Sequence, residues 1–405
     1  MQRLKVALVG LGSVAQRGIL PHLACADAQE HIETVACVDP IPGRATATAE
    51  RFGWHEAYDS YDEMLAHADV EAVLLATPIP LHFPQAKQAL LAGKHVYVQK
   101  TMTMTSAEAT ELIELAAQQH RYLIASPGQM LRPVYRLAHD LLKAGVLGRI
   151  YWAFTATSGL GHETEQFRQG ADVLTNVDPT WYYQKGGGPM YDMAVYSLHL
   201  ITGLLGEAKR VTALSGIGLP ERAWKDKTIP VEMDDNTIAL LDFNDNTFAT
   251  VGGHNSVAPP GVGFSQVWIS GTTGSMQLST QKMTLVLREH HPSVSLLENQ
   301  EGITVHWISP APNRGEVTVE VNQPLPHVSD IHTQIPEHHV YADIMHFVDV
   351  ITRKVTPVAT PEHARHVIDI IESAYRSAQT DQVQQLTTTF TWSPTHTYYQ
   401  QGAHA

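Results

Sequence analysis

The chain predicts an α/β domain with a doubly wound parallel sheet, followed by an α+β domain with an open, mainly antiparallel sheet. Three observations carry this. From residue 1 to about residue 126, short β-branched runs alternate with longer helical patterns; a glycine turn follows the first run; and from about residue 150 closely spaced strand runs take over. The length of 405 residues suits two domains. With 43% apolar and 17% charged residues, there is material for buried cores and too little charge for a disordered chain.

The strand candidates of the first part are 5–9, 34–38, 70–76, 95–98 and 123–125, with helix candidates at 14–24, 42–52, 60–66, 83–92 and 107–120. Parallel strands need crossovers, and right-handed helical crossovers cover both faces of the sheet. The later runs 150–157, 210–214, 237–243, 248–252, 267–270, 275–279 and 284–288 are separated by turn residues such as Asn244-Asp245-Asn246 and read as an antiparallel sheet. Residues 310–336, rich in Pro and His, read as an extended loop or arm, and helical pattern returns at 340–352 and 361–378. The domains are then 1–126, 127–390 (with late helices 340–378 placed to pack back on the first domain) and a tail, 391–405, whose Trp392, Tyr398 and Tyr399 show little periodicity.

A formal charge of −14 repels phosphate backbones and argues against nucleic acid as a partner. Cys25 and Cys37 cannot make a disulfide framework, and Cys37, in the apolar run VACVD, reads as a small buried hydrophobe. RLKVALVG is too short for a secretory leader and no run reaches the length of a membrane span, so no membrane association and a cytoplasmic location are expected.

The first chemical signal is Gly10-Leu11-Gly12-Ser13-Val14-Ala15, directly after KVALV. Gly10 permits the tight turn, Gly12 lets the backbone approach a pyrophosphate, Ala15 keeps helix and strand close, and the N–H groups around Ser13 and Val14 face the phosphates. Asp39, 27 positions beyond Gly12, ends the second strand, where a carboxylate accepts from the adenosine ribose hydroxyls. Asp39 would repel a 2′-phosphate, which favours NAD over NADP, while Arg44 nearby leaves NADP open as the lesser choice.

Two further loops, around Thr77-Pro78 with His82 and around Gln99-Lys100-Thr101, follow parallel strands, at the edge where open α/β sheets bind ligands. Lys100 sits at a strand end in a cofactor cleft, where a lysine can serve in proton transfer; the alternative is a solvated loop lysine.

With Arg132-Pro133, Gly145-Val146-Leu147-Gly148, Gly186-Gly187-Gly188, Asp192 and Ser373-Ala374-Tyr375-Arg376-Ser377 following in order, the chain resembles the Gfo/Idh/MocA oxidoreductases over nearly its whole length. That resemblance implies an N-terminal Rossmann domain and a C-terminal domain whose open sheet often makes the oligomer interface, here a homodimer or homotetramer. The family's Glu-Lys-Pro motif stands here as Gln99-Lys100-Thr101, which keeps the lysine and loses both neighbours. Where the family has Asp, a catalytic His four residues on, and often Asp three further, this chain has Asp192, Tyr196 and His199; Tyr at the middle position also occurs in glucose-fructose oxidoreductase.

On a helix, Asp192, Tyr196 and His199 are i, i+4 and i+7 and share one face, a proton-relay set beside Lys100. The alternative for Tyr196 and His199 is a half-buried structural role. Tyr182, Tyr183 and Lys185 are candidates to line a polyol pocket, Trp181 to pack, and Gln129 to face the nicotinamide carboxamide or solvent. The pairs His290/His291, His338/His339 and His363/His366 lack the spacing of a closed metal site, and His363/His366, i and i+3 on a late helix, are expected to be solvated or at an interface, so no metal is expected.

The expected activity is hydride transfer between NAD(H) and a hydroxyl carbon of a sugar, polyol or glycoside, with Lys100 as proton-transfer group or its electrostatic partner, Tyr196 or His199 as the other acid/base, and Asp192 and His199 among the substrate contacts. Two alternatives stay open: a tightly held NAD recycled in a lyase, epimerase or glycosidase reaction, and a non-catalytic sugar or NAD sensor. Specificity is expected in the loops 159–178 and 256–265.

Overall fold

The computed structural model describes residues 3–257, 265–289, 291–311 and 314–391. Most of the 256–265 loop, His290 and the aromatic tail residues therefore lie outside the described residues.

The first half is a six-stranded parallel sheet of β1 (Leu4–Val9), β2 (Ile32–Val38), β3 (Glu56–Tyr58), β4 (Ala72–Leu75), β5 (His95–Val98) and β6 (Leu123–Ala125), in the order β3-β2-β1-β4-β5-β6. β4 is buried at every residue because helices cover both faces, which is why its sequence AVLL does not alternate. β3 escapes a sequence reading: its three residues include polar Glu56 and are too short to show a period. Local chemistry sets the helix ends. Ser60 caps Tyr61–His67, a capping box of Thr105 and Glu108 starts Ser106–Gln118, and Ile79–Leu91 begins earlier than its periodicity suggests because Pro80 fits a first turn. The sheet order reverses between β1 and β4, so the loops after β1, β4 and β5 flank one crevice.

The second half contains a ten-stranded sheet built from β7 (Ile150–Ser158), β8 (Arg210–Gly216), β11 (Asn236–Asp242), β12 (Phe248–His254), β13 (Gln266–Gly271), β14 (Gly274–Leu278), β15 (Lys282–Leu287), β16 (Ile303–Ala311), β17 (Arg314–Val321) and β18 (Gln384–Gln385); β9 (Glu221–Trp224) and β10 (Lys227–Pro230) form a separate hairpin. Its pairs are antiparallel except β7 with β12. The supposed arm at 310–336 is corrected in its first part: residues 314–321 alternate and pair with both β15 and β16, so they are a strand. On the outer face, Trp152, Leu214, Ile238, Leu240 and Phe248 are exposed, with Ile238 directly opposite Leu214.

The helix Pro361–Thr380 joins the halves. Its Ala364 and Ile368 belong to the core under the parallel sheet, and Glu372 accepts hydrogen bonds from the Ser106 backbone N–H (3.2 Å) and hydroxyl (3.0 Å). His363 and His366 are not solvated as expected. Both are buried beside Phe390, where His363 bonds Thr202 and His366 accepts from the Ala208 N–H, which is why they serve packing here. No helix of the described residues is long and apolar enough to cross a membrane.

Asp369, buried on the same helix, accepts from the N–H groups of Thr387 and Thr388 (both 3.1 Å) and from the Thr388 hydroxyl (2.8 Å), pinning the segment that ends at Phe390. Asp369→Ala leaves these donors without their acceptor and is expected to cost about 2–4 kcal/mol, read as a lower urea midpoint. An unchanged midpoint contradicts this pinning.

Candidate functional site

A cleft of about 940 Å³ runs along the crevice, from the turn after β1 to the start of the helical segment that begins at Met190. At one end Gly10 has φ +88°, and a Cβ there would meet the Ala76 carbonyl carbon at 2.7 Å, so only glycine fits. Asp39 is buried and accepts from the N–H groups of Leu11 (2.9 Å) and Ile41 (3.0 Å), which fixes its carboxylate at the mouth of the turn. Arg44 lies 3.4 Å from Asp39 and donates to the carbonyls of Val173 (2.9 Å) and Asn176 (3.0 Å). Its guanidinium is therefore committed to the loop 159–178, which crosses the cleft so closely that Val177 stands over Gly12. Ser13, Val14, Thr77 and Pro78 also line this part, whereas Ala15 is in the core beneath it. A glycine cradle with a carboxylate at its mouth fits the pyrophosphate and ribose of a dinucleotide.

At the other end Lys100 reaches from the end of β5. Its Nζ donates to the Asp192 carbonyl (2.8 Å), forms a short ion pair with Asp192 Oδ1, and lies 5.6 Å from the centre of the Tyr196 ring. The other Asp192 oxygen meets His162 Nε2 at 3.0 Å, and His162 Nδ1 meets Glu165 at 2.5 Å. Glu165 in turn accepts from Arg168 (2.7 Å) and stands 3.4 Å from the Ser13 hydroxyl. A chain of charges thus links Lys100 to the dinucleotide turn.

The protonation states follow from this geometry. Burial works against a charged Asp192, but the Lys100 and His162 charges outweigh it and hold the carboxyl below the usual range. Burial likewise works against a charged His162, yet Asp192 and Glu165 raise its pKa above the ordinary 6.5. Glu165, against burial, is brought down to about 2 by His162 and Arg168. Tyr196 lies in contrasting surroundings: burial and then the carboxylates of Glu337, Asp192 and Asp343 push its phenol well above 10. His339, 3.1 Å from the Tyr196 oxygen, is kept neutral by burial and by Arg132, His338 and Lys100.

Two carbonyls place the Lys100 loop. Buried His82 stands 2.8 Å from both the Thr77 and the Thr101 oxygens, and the Thr101 hydroxyl donates to the Tyr191 carbonyl at 2.5 Å. The Lys100–Thr101 peptide is cis, without proline. Gln99 lines the cleft and bonds the Tyr97 hydroxyl.

Several expected site residues lie elsewhere. His199 is buried against His363, with ring centres 4.7 Å apart, and burial carries it down to about 3. The reason is the wide π-type turn Met190–Ala194, which shifts the helical phase so that Tyr196 still shares the face of Asp192 and His199 does not. Gln129 spends its amide on the Tyr196 carbonyl (3.2 Å) and does not line the cleft. Tyr182 backs the His162 ring at 4.3 Å and bonds Asn255, the Tyr183 hydroxyl is bonded to Glu163, and Lys185 is exposed outside the cleft. Trp181 packs against the core as expected, and it lines the cleft as well. His162 and Glu165 come from an aperiodic loop, and Glu337 and His339 from the cap and first turn of the helix His338–Thr352; no spacing ties any of them to Asp192 or Tyr196. The one signal was the placing of specificity in the 159–178 loop.

With this geometry in place, comparison with known proteins decides the family. Residues 4–126 match the sequence profile of the GFO/IDH/MocA oxidoreductase family, NAD-binding Rossmann fold, and residues 135–277 match that family's C-terminal domain, together well over half of the chain. The chain belongs to the Gfo/Idh/MocA oxidoreductase family. Its first half is that family's NAD-binding fold. Among Gfo/Idh/MocA relatives, a dTDP-3,4-didehydro-2,6-dideoxy-alpha-D-glucose 3-reductase of Streptomyces violaceoruber is 30% identical over 52% of this chain and 57% of the reductase. The chain thus spans little more than half the length of that relative. A levoglucosan dehydrogenase of Pseudarthrobacter phenanthrenivorans is 24% identical over 62% of this chain and 67% of the dehydrogenase. A solved levoglucosan dehydrogenase, in complex with NADH and levoglucosan, superposes with a TM-score of 0.74 at 19% identity over 96% of this chain and all of that one, the same fold.

Two predictions follow from the site's geometry. Gly10→Ala drives a Cβ into the Ala76 carbonyl, so NADH binding followed by fluorescence is expected to weaken by about 100-fold or more, roughly 3 kcal/mol, with the circular dichroism unchanged. Wild-type affinity contradicts the cradle. His162 has its folded pKa above its ordinary value, so its ion pairs contribute in full below pH 6.5 and lose that contribution as pH rises through the raised value. The melting-temperature gap between wild type and His162→Gln should be widest in that acid range and narrow with rising pH; a gap independent of pH contradicts the charged ring.

Proposed function

We propose that this chain is an NAD(H)-dependent oxidoreductase acting at a hydroxyl carbon of a sugar, polyol or glycoside. The observation that carries the proposal is the meeting of Lys100, Asp192 and Tyr196 at one end of a cleft whose other end is a dinucleotide cradle. The similarity to a levoglucosan dehydrogenase and a dTDP-sugar reductase supports the substrate class. Asp39 and the commitment of Arg44 to loop carbonyls favour NAD over NADP. When bound, NAD supplies the hydride acceptor or donor for the substrate carbon.

The chain's own residues handle the proton. Lys100 Nζ gives a proton to the carbinol oxygen in the reducing direction and takes it back in the oxidising one. Asp192 holds the ammonium in place and keeps a counter-charge beside it. The Tyr196 hydroxyl, partnered by His339, offers a second hydrogen bond to the same oxygen. Trp181 and Met193 give the pocket an apolar wall against which a sugar face can stack.

One observation favours a second reading. Arg44 and Val177 close the 159–178 loop over the dinucleotide turn, an arrangement suited to a cofactor that stays bound and is recycled in a lyase, epimerase or glycosidase reaction. For assembly, we place a second copy against the exposed apolar face of the open sheet, giving a homodimer or homotetramer.

The test is a panel of sugars, polyols and glycosides incubated with the purified chain, with and without added NAD. NADH formation with one substrate class supports the dehydrogenase; product without added NAD or net NADH supports recycling; no product and no NADH contradicts both. On the substrate found, Lys100→Ala is expected to lower kcat by about two to four orders of magnitude with NADH affinity little changed. Near-normal turnover removes Lys100 from the reaction.

A further inference from the structure

Away from the cleft, Cys25, Asp27 and His332 bring one sulfur, one carboxylate oxygen and one ring nitrogen within 4.8 Å of one another. Cys25 and Asp27 lie just beyond the helical segment that follows the glycine turn, and His332 lies on the short helix Asp330–Thr333 of the arm, more than 300 residues later. His332 is fully buried, and its Nε2 is 3.1 Å from each Asp27 oxygen.

The hydrogen bonds behind this cluster restrict what occupies it. His22 is fully buried, and its Nε2 faces the Pro336 carbonyl at 3.1 Å, a group that only accepts, so that nitrogen carries the hydrogen. His22 Nδ1 faces His332 Nδ1 at 2.8 Å. With His22 neutral, the state that full burial favours, its Nδ1 is an acceptor and His332 Nδ1 must donate to it. The remaining His332 nitrogen, Nε2, stands 3.1 Å from both Asp27 oxygens beside the Cys25 thiol, a contact that a proton on Nε2 makes as an ion pair and that a bound cation would make in its place. Three lone-pair groups converge, and either a proton or a metal cation must stand among them.

We propose that Cys25, Asp27 and His332 bind one divalent cation of the zinc class. A thiolate, an imidazole and a carboxylate are the ligand types that zinc accepts, and ligands on one tetrahedral zinc lie about 3.3–3.8 Å apart, so little closure is needed. Asp27 is half exposed, which lets water take the fourth position. His22 is the outer partner that fixes the ring of a ligating histidine. Binding releases the Cys25 thiol proton, and any proton on His332 Nε2, to solvent.

The cation would clip the arm to the helical segment of the dinucleotide turn. Glu337 follows on that arm, packs on Gly18, pairs with Arg17 at 3.0 Å and lines the cleft, and His339 then bonds Tyr196. Occupancy therefore stiffens one wall of the cleft from outside it.

The experiment needs no substrate. The full chain is stripped with chelator, dialysed, and titrated with Zn²⁺ and separately with Co²⁺. One equivalent should bind, Co²⁺ should give a thiolate charge-transfer band, and Zn²⁺ should raise the melting temperature. Cys25→Ser, at a partly exposed position, should abolish the band, and Asp27→Asn should weaken binding by about 10-fold or more. Absence of the band in the folded wild-type chain overturns the proposal. Binding of the same strength in Cys25→Ser and Asp27→Asn also overturns it, since the ion then sits elsewhere among the 23 histidines.

Discussion

The contact between Lys100 and Asp192 spans the two halves of the molecule. One partner leaves the end of β5 in the parallel sheet, and the other enters from the turn that opens the second half's central helix. Both charges lie in a largely buried crevice, and neither would be stable there alone, because an unpaired charge in that setting carries a large desolvation cost. The pair therefore requires the sheets to be held in register. The long helix Pro361–Thr380, the Ser126 and Gly128 bonds to Asp343, and the Tyr191 carbonyl that receives the Thr101 hydroxyl supply that register.

Around this pair the site has two electrostatic characters. On the loop side, Asp192, His162, Glu165 and Arg168 alternate in sign, so each charge has an opposite neighbour and the loop is drawn down over the cleft. On the other side, Tyr196 and His339 are both neutral, chiefly because they are buried. In the proposed reaction a substrate hydroxyl between the two sides would meet an ammonium from one and an uncharged hydrogen-bond donor from the other, an arrangement suited to developing negative charge on oxygen.

The parts of this site that were legible in the sequence are those set by short-range geometry. Gly10, Gly12 and Asp39 follow from the demands of a strand–turn–helix on a phosphate, and Lys100 from its place at a strand end. Asp192 with Tyr196 followed from helical spacing and family likeness together. His199 was misplaced because periodicity assumes an α-helix, and one π-type turn is enough to break the phase. Tyr183 and Lys185 look like polyol ligands only while the partner Glu163 and the outward direction of the chain are unknown. His162 and His339 are set by chain returns of 30 and 143 residues, to Asp192 and Tyr196, which no local pattern encodes. The same holds for β17, whose alternation was masked by the prolines and histidines around it.

The most direct test of the account is the fate of the hydrogen on the substrate's carbinol carbon. With a sugar or polyol deuterated at that carbon, the chain and NAD should yield cofactor carrying the deuterium, measured by mass spectrometry. Turnover in which deuterium never enters the nicotinamide ring, of bound or of added cofactor, would contradict hydride transfer at the Lys100–Asp192 pair.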